Sequence, residues 1–267
     1  ERLGRMRFSA AGIRQLAGLK NLESLHLYGH AVPADALVFP ELRSLSVGGH
    51  EVDNDAAAKI AGFRNLESLS LRETRITDEG LSNIATLPEL HRLELHSGII
   101  TDRGVAELKN LPSLEQLDLR VLKATGAVLR DIAHIKTLTR LDLTSGGGDP
   151  VRGNIVDNII PASDALRTTN ALGTVWVGER WGESLRYLKA CPRLDTLWLY
   201  NFSSVDGIKD VKQLRSVVLS MCDVDTAKLD ELSDALPDAS ISSMTGADGL
   251  IRLPKRFRQQ LKPLRND

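Results

Sequence analysis

The chain has 267 residues, and its 34 lysines and arginines nearly balance its 35 aspartates and glutamates, which leaves a net charge of −1. This balance argues against a general electrostatic attraction to nucleic acid or to an anionic membrane. No apolar run approaches the roughly 18 residues that a membrane-spanning helix requires, so the sequence predicts no membrane span.

A leucine pattern, L-x-x-L-x-L, recurs along the chain. Its clear copies begin at Leu22, Leu42, Leu66, Leu90, Leu114, Leu138, Leu172, Leu194 and Leu214. A degenerate copy begins at Leu3, and a remnant lies at 236–241. Successive copies are 19 to 24 residues apart, except that Leu138 and Leu172 are 34 apart. Such a period predicts an array of stacked repeats with one structural unit per copy.

Each copy predicts a β-strand followed by a helix. The alternation Leu-x-Leu is typical of a strand with one buried face. Apolar residues then recur at helical spacing, as at Leu81, Ile84 and Leu87, and Thr77 and Thr101 stand where helix N-caps are expected. One strand–helix unit is too small to bury its own apolar face. The units are therefore expected to stack into a parallel sheet with helices on its outer side.

Two repeats carry a more specific motif, Ile76-Thr-Asp-Glu-Gly-Leu81 and Ile100-Thr-Asp-Arg-Gly-Val105. On these residues and the leucine period, the chain resembles the leucine-rich-repeat superfamily, and is similar to its cysteine-containing and ribonuclease-inhibitor-like ITDxGL type found in bacterial proteins. The resemblance implies an α/β solenoid of about 10–11 repeats over residues 1–245, with a concave parallel sheet and convex helices. The asparagine that this family usually has in the ninth position of a repeat is missing, so the turns must be satisfied in another way.

Two segments depart from the repeat. An irregular insertion is predicted at about 144–171, where Ser145-Gly-Gly-Gly-Asp-Pro150 indicates a flexible loop. The tail 246–267 is basic and amphipathic, with Leu253, Phe257 and Leu261 on one helical face. We expect this tail to cap the open end of the solenoid; the alternative is a segment that binds a membrane or an acidic partner.

Side chains in the third, fifth and seventh positions of a repeat are expected on the concave face, because they alternate with the buried leucines. A carboxylate row, Glu94, Asp118 and Asp142, occupies the fifth position of three repeats. The basic residues that flank it are Arg72, Arg92, His96, Arg120 and Arg140. Like charges in register repel and require compensation from such neighbours. The row is therefore predicted to be either part of a binding surface or a solvated face whose charges neutralise each other.

An aromatic patch is predicted beside this row. Trp176 and Trp198 fall in the fifth position of successive copies, and Tyr200 lies two residues after Trp198. Exposed tryptophan and tyrosine side chains commonly anchor protein interfaces. The alternative is that the insertion folds over these rings as a lid.

No arrangement for catalysis, and no metal or cofactor site, is predicted. An open sheet offers the carboxylates no closed pocket that would shift their pKa values. His26, His30 and His50 lie near one another in the repeat alignment but lack a convincing set of further ligands, so turn-capping roles are favoured. A small-molecule ligand is not expected either.

The two cysteines, Cys191 and Cys222, lie in apolar segments, which predicts buried, free thiols and favours a reducing, cytoplasmic location. Because the chain begins at Glu1 rather than at Met, we expect further residues upstream.

The sequence thus predicts a non-enzymatic module that binds a partner protein, and no nucleic acid, along its concave face. The proposed contacts are Glu94, His96, Asp118, Arg120, Arg140, Asp142, Trp176, Trp198 and Tyr200. The alternative is the recognition domain of a larger enzyme or effector.

Overall fold

The computed structural model describes residues 9–19, 21–27, 32–144, 166–170, 173–177, 184–200, 202, 204–220, 222, 224–245 and 250–255. The strands are β1 (Ser24–Leu27), β2 (Ser44–Gly48), β3 (Ser68–Arg72), β4 (Arg92–Thr101), β5 (Gln116–Lys123), β6 (Arg140–Thr144), β7 (Leu166–Asn170), β8 (Gly173–Val177), β9 (Thr196–Tyr200), β10 (Ser216–Ser220), β11 (Ser240–Thr245) and β12 (Leu250–Arg252). The α-helices are α1 (Ala10–Gln15), α2 (Asn54–Ile60), α3 (Asp78–Ile84), α4 (Asp102–Glu107), α5 (Val128–Ile132) and α6 (Thr226–Ala235). Short 3-10 helices span Leu16–Gly18, Ala34–Ala36, Leu108–Asn110, Leu185–Ala190 and Asp206–Asp210.

The main sheet has the strand order β1-β2-β3-β4-β5-β6-β9-β10-β11-β12. All neighbours from β1 to β11 pair in parallel, and equivalent repeat positions face each other: Leu69 pairs with Leu93, which pairs with Leu117. These leucines are almost completely buried, in one continuous core that runs from Ile13 to Ile241. The predicted α/β leucine-rich-repeat solenoid is confirmed. Nine parallel strands lie in its described part, whereas the degenerate copy at 3–8 lies outside the described residues.

Hydrogen bonds join the N-termini of successive helices. Asp78 accepts the backbone N–H of Thr101 at 2.9 Å and its hydroxyl at 2.6 Å. Asp102 accepts the same two donors from Thr125, at 2.6 and 2.7 Å. Asn54 accepts the N–H of Thr77 at 2.9 Å and begins the series. The Thr-Asp pair of the motif therefore joins each of these repeats to the next. Thr77 and Thr101 occupy the N-cap positions of α3 and α4 as predicted, but of these two only Thr101 accepts a capping hydrogen bond, from the N–H of Arg103.

The glycine of the same motif permits close contact between neighbouring helices. A Cβ at Gly80 would lie 2.8 Å from Ile76 Cγ2 and would collide with Asn54 Oδ1. A Cβ at Gly104 would lie 3.0 Å from Asp78 Cα and would collide with Asp78 Oδ1. Glycine is therefore required at these positions by packing between repeats.

The prediction that the copy at Leu172 forms a repeat of the sheet is wrong. Strand β8 pairs antiparallel with β7, and Asn170 is opposite Gly173. Strand β6 instead pairs directly with β9, so that Leu141 faces Leu197. The helix that follows β6 in the core is Leu185–Ala190, which packs against α5 on one side and Asp206–Asp210 on the other. In the described part of the chain, β7 and β8 therefore lie between the strand and the helix of one repeat and outside the main sheet.

The C-terminal edge of the sheet is covered by a strand. Strand β12 pairs antiparallel with β11, and Met244 is opposite Ile251. Beyond it, Pro254 is buried and the backbone N–H of Lys255 donates to Asp230 Oδ1 at 2.6 Å. Strand β12 is thus the edge strand, and with only three residues it offers few unpaired backbone groups to other chains. The helical face predicted for the tail lies largely outside the described residues, because the description ends at residue 255.

Both cysteines are free and buried, which confirms that prediction. The Cys191 thiol lies in the core, and its burial raises its pKa to about 11. In the part of the chain that the structure describes, no helix combines the length and the apolar character needed to cross a bilayer.

Candidate binding site on the concave face

The strand register brings the predicted carboxylates and one tryptophan into a single row. In the fifth position of the repeats, Glu94 pairs with Asp118 and Asp118 with Asp142. The next residue in this row is Trp198, which is opposite Asp142. Adjacent members are separated by roughly the 4.8 Å spacing of neighbouring strands. We call the surface that these four residues and their polar neighbours form on β4, β5, β6 and β9 the central concave surface.

Glu94 is held by three neighbours. The Ser70 hydroxyl donates to its Oε2 at 2.6 Å, and the Arg72 guanidinium forms an ion pair with its Oε1. His96 Nε2 lies 3.2 Å from the same Oε1. Glu94 and His96 are largely buried, whereas Arg72 is about half exposed.

The side chains around the Asp118 carboxylate lie farther from it than those around the Glu94 carboxylate do. His96 Nε2 lies 3.8 Å from its Oδ2, and Arg120 Nε lies 3.7 Å from its Oδ1. Both His96 Nε2 and Asp118 Oδ1 are buried atoms that form no hydrogen bond. Buried polar atoms are normally hydrogen-bonded, so these two atoms are exceptions within the central concave surface.

Asp142 and Arg140 form a hydrogen-bonded ion pair. Arg140 Nη2 donates to Asp142 Oδ2 at 2.9 Å, and Nε approaches Oδ1 at 3.1 Å. Burial raises the pKa of Asp142 and outweighs the opposing effect of Arg140, while the hydrogen bond to Asp142 raises the pKa of Arg140. The Arg140 guanidinium also stacks on the Trp198 ring at 4.6 Å from its centroid. The ring is thus held in place, yet Trp198 remains 44% exposed.

The predicted stacking of two tryptophans in neighbouring strands is wrong. Trp176 is on β8, which pairs with β7 at Arg167, so it is not a neighbour of Trp198 in the main sheet. The residues opposite Trp198 are Asp142 and Val218. Tyr200 lies on the same strand as Trp198, as predicted, but it is half-buried, whereas the sequence predicted an exposed ring.

Not all of the arginines that flank the carboxylate row form ion pairs with it. Arg72, Arg120 and Arg140 each lie beside one carboxylate of the row. Arg92 instead donates to the Gln116 side chain, with Nε at 2.8 Å from Oε1. The sequence also gave no role to Ser70, which orients Glu94, although its place opposite Glu94 follows from the repeat alignment.

This arrangement suits recognition. Its carboxylates and guanidinium groups are oriented by one another, and a single large aromatic ring extends from them. Among the described residues, Glu94, His96 and Asp118 are the one group of three histidine, cysteine or acidic side chains that could share a metal ion.

Comparison with known proteins supports the fold. A family model described as Leucine Rich repeat matches residues 64–85. The chain is similar in structure to an internalin from Listeria monocytogenes, with a TM-score of 0.52, 18% identity, and coverage of 88% of this chain and 56% of that one. It is also similar to a leucine-rich-repeat protein of Leptospira interrogans, with a TM-score of 0.52, 22% identity, and coverage of 88% and 51%.

The chain thus spans little more than half the length of these two structures. No curated protein matches it in sequence. The repeat motif, the strand register and these likenesses agree on one conclusion, which is that the chain has the leucine-rich-repeat fold.

Proposed function

We propose that this chain is a non-catalytic protein-interaction module and that a partner protein binds its central concave surface. The observation that carries the proposal is Trp198, which is 44% exposed on a face that the core does not use. Tryptophan side chains supply a large contact area with few rotatable bonds, and they are enriched among residues that dominate binding energy. Because Arg140 already stacks on the ring, little conformational entropy remains to be lost on binding.

A protein partner fits the charge pattern better than nucleic acid does. Arg72, Arg120 and Arg140 each lie beside a carboxylate, so they do not form an uncompensated basic surface for phosphate groups. A small molecule is not favoured, because the side chains lie along an open sheet face instead of converging on an enclosed pocket. The charges are expected to set the orientation and association rate of the partner more than its affinity.

The test compares two exposed apolar residues at different places on the sheet. Trp198→Ala should weaken binding of the partner by about 2 kcal/mol, or roughly thirtyfold, with a nearly unchanged melting temperature. Met244, on β11, is also 44% exposed, and Met244→Ala is the matched control. The partner is captured from the native host, purified, and titrated against each variant.

Equal affinities for wild type and Trp198→Ala would refute the proposed surface. If Trp198→Ala unfolds the protein while binding per folded molecule stays intact, the ring has a structural role and the proposal fails. An equal loss for Met244→Ala would indicate a non-specific apolar contact.

A second candidate function is the recognition domain of a longer enzyme or effector. The observation that motivates it is that the two similar solved structures are longer than the part this chain matches, which is 56% and 51% of their lengths. The full open reading frame distinguishes the two, since it either contains a catalytic domain or does not.

We also propose that the repeats are of the ITDxGL type, close to the cysteine-containing branch of bacterial proteins, and that the chain functions in the cytoplasm. The Thr101–Asp78 and Thr125–Asp102 hydrogen bonds give the motif a structural role that supports the first point. The free, buried Cys191 and Cys222 support the second. The location is tested by fractionating native cells and detecting the protein with an antibody.

A further inference from the structure

We propose that Glu94, His96 and Asp118 form a binding site for a divalent transition-metal ion of the zinc type. The site lies within the central concave surface, and it goes beyond the proposed protein-binding function because its ligand is a metal ion. The ligand atoms are Glu94 Oε1, His96 Nε2 and Asp118 Oδ2. One ligand atom from each residue lies within 4.8 Å of those from the other two.

The distances suit a small cation. Metal–ligand bonds of about 2.0–2.1 Å in tetrahedral geometry place two ligand atoms roughly 3.3 Å apart. His96 Nε2 lies 3.2 Å from Glu94 Oε1 and 3.8 Å from Asp118 Oδ2. The two atom pairs that involve His96 Nε2 are therefore close to the separation that one tetrahedral ion imposes.

The histidine nitrogen has the environment of a ligand atom. His96 Nε2 is buried and forms no hydrogen bond, although it faces two carboxylates. A buried nitrogen without a hydrogen bond is costly, and a metal ion would satisfy it. The surroundings also orient the other oxygen of Glu94, because Ser70 donates to Oε2 at 2.6 Å and leaves Oε1 toward His96. Such second-shell contacts are typical of protein metal sites.

The donor set selects the class of ion. Two carboxylates and a neutral imidazole supply a charge of about −2, which matches a divalent cation, and imidazole favours zinc, nickel, copper or iron over calcium and magnesium. Calcium requires six to eight oxygen ligands, and one carboxylate pair cannot supply them. Asp142 does not contribute, because Arg140 occupies both of its oxygens.

Arg72 is the competitor for this site. Its guanidinium forms an ion pair with Glu94 Oε1, the oxygen that would bind the metal. Its side chain is 48% exposed, so it has room to turn toward solvent when an ion binds. Removal of this positive charge should therefore strengthen metal binding. Three protein ligands leave a further coordination position for water.

The experiment is a calorimetric titration of the metal-free protein with zinc chloride, with cobalt(II) absorption as an independent report of coordination geometry. We expect one site per chain. His96→Ala, Glu94→Gln and Asp118→Asn should each weaken zinc binding at least about tenfold. Arg72→Ala should strengthen it. His91→Ala removes a histidine whose Nδ1 contacts Glu89 O at 2.6 Å, outside the site, and should leave affinity unchanged.

Circular dichroism checks that each variant is folded. Absence of saturable zinc binding, or zinc binding that persists in folded His96→Ala, overturns the proposal. Stronger binding of calcium than of zinc also overturns it. Trp198→Ala should retain zinc affinity while losing the partner, so failure of the metal site and failure of the protein-binding surface are distinguishable.

Discussion

The glycine of the repeat motif leads to a prediction about stability. Its sign depends on whether helix propensity or packing between repeats has the larger effect. Gly104→Ala places a methyl group in the contact between α3 and α4, 3.0 Å from Asp78 Cα and in collision with Asp78 Oδ1. Helix propensity alone would make alanine more stable than glycine by about 1 kcal/mol. Packing opposes this gain, because the nearest atoms belong to backbone and to a side chain with two hydrogen bonds.

The packing effects are the larger ones. Overpacking of a well-packed contact costs about 1–3 kcal/mol. Displacement of Asp78 also weakens its bonds to the Thr101 N–H and hydroxyl, each of which contributes about 0.5–1.5 kcal/mol. After subtraction of the propensity gain, we expect Gly104→Ala to lower the free energy of unfolding by about 2–3 kcal/mol.

Urea unfolding followed by far-UV circular dichroism measures this change. Gly18→Ala is the matched control, because a Cβ there has no atom within 4 Å and should be neutral or stabilising by up to about 1 kcal/mol. The double variant Asp78→Ala/Gly104→Ala should lose less than the sum of the two single changes, because both affect the same contact. A Gly104→Ala protein as stable as wild type would refute the packing explanation.

Two further predictions concern the core. Leu117→Ala removes a side chain that is 1% exposed and should lower the free energy of unfolding by about 2–5 kcal/mol. Protection from hydrogen exchange should be lost first in β4, β5 and β6, because each repeat is stabilised mainly by its neighbours. Uniform loss of protection over all repeats would contradict this explanation. A chromogenic thiol reagent should detect almost no thiol in the native protein and two thiols after denaturation without reductant. The reason is that Cys191 and Cys222 are buried and the pKa of Cys191 is raised to about 11. Rapid reaction of the native protein at pH 8 would contradict this prediction.

The scaffold was predictable because its signal is periodic. Each leucine of a copy has the same environment in the next repeat, so that Leu69, Leu93 and Leu117 are equivalent in sequence and paired in space. The same alignment fixed which residues face away from the core. It therefore predicts that Glu94 lies beside Asp118, as the strand register confirms.

The strand at Val175 was misassigned because alternation predicts a strand but does not identify its partner. Only two residues separate Asn170 from Gly173, and a connection of that length suits an antiparallel hairpin. A parallel neighbour needs a crossover of a dozen or more residues. The two-residue connection therefore indicates an antiparallel pair, whereas the leucine pattern indicates a parallel repeat.

The ion pairs were less predictable than the strands. An arginine side chain is long enough to reach several neighbours in a sheet, and its partner depends on rotamers that a repeat alignment does not encode. Arg92 and Arg140 occupy the same repeat position, yet Arg92 binds Gln116 and Arg140 binds Asp142. The contact of His96 with two carboxylates likewise depends on its ring position.

The place of the insertion determines what the concave face presents. Because the insertion lies between β6 and the helix Leu185–Ala190, it does not interrupt the ladder, and Asp142 pairs directly with Trp198. The stacking of Arg140 on that ring requires this neighbour relation. A further strand between β6 and β9 would separate the two residues by an additional spacing of roughly 4.8 Å. The exclusion of β7 and β8 from the main sheet is thus what joins the carboxylate row to its exposed tryptophan.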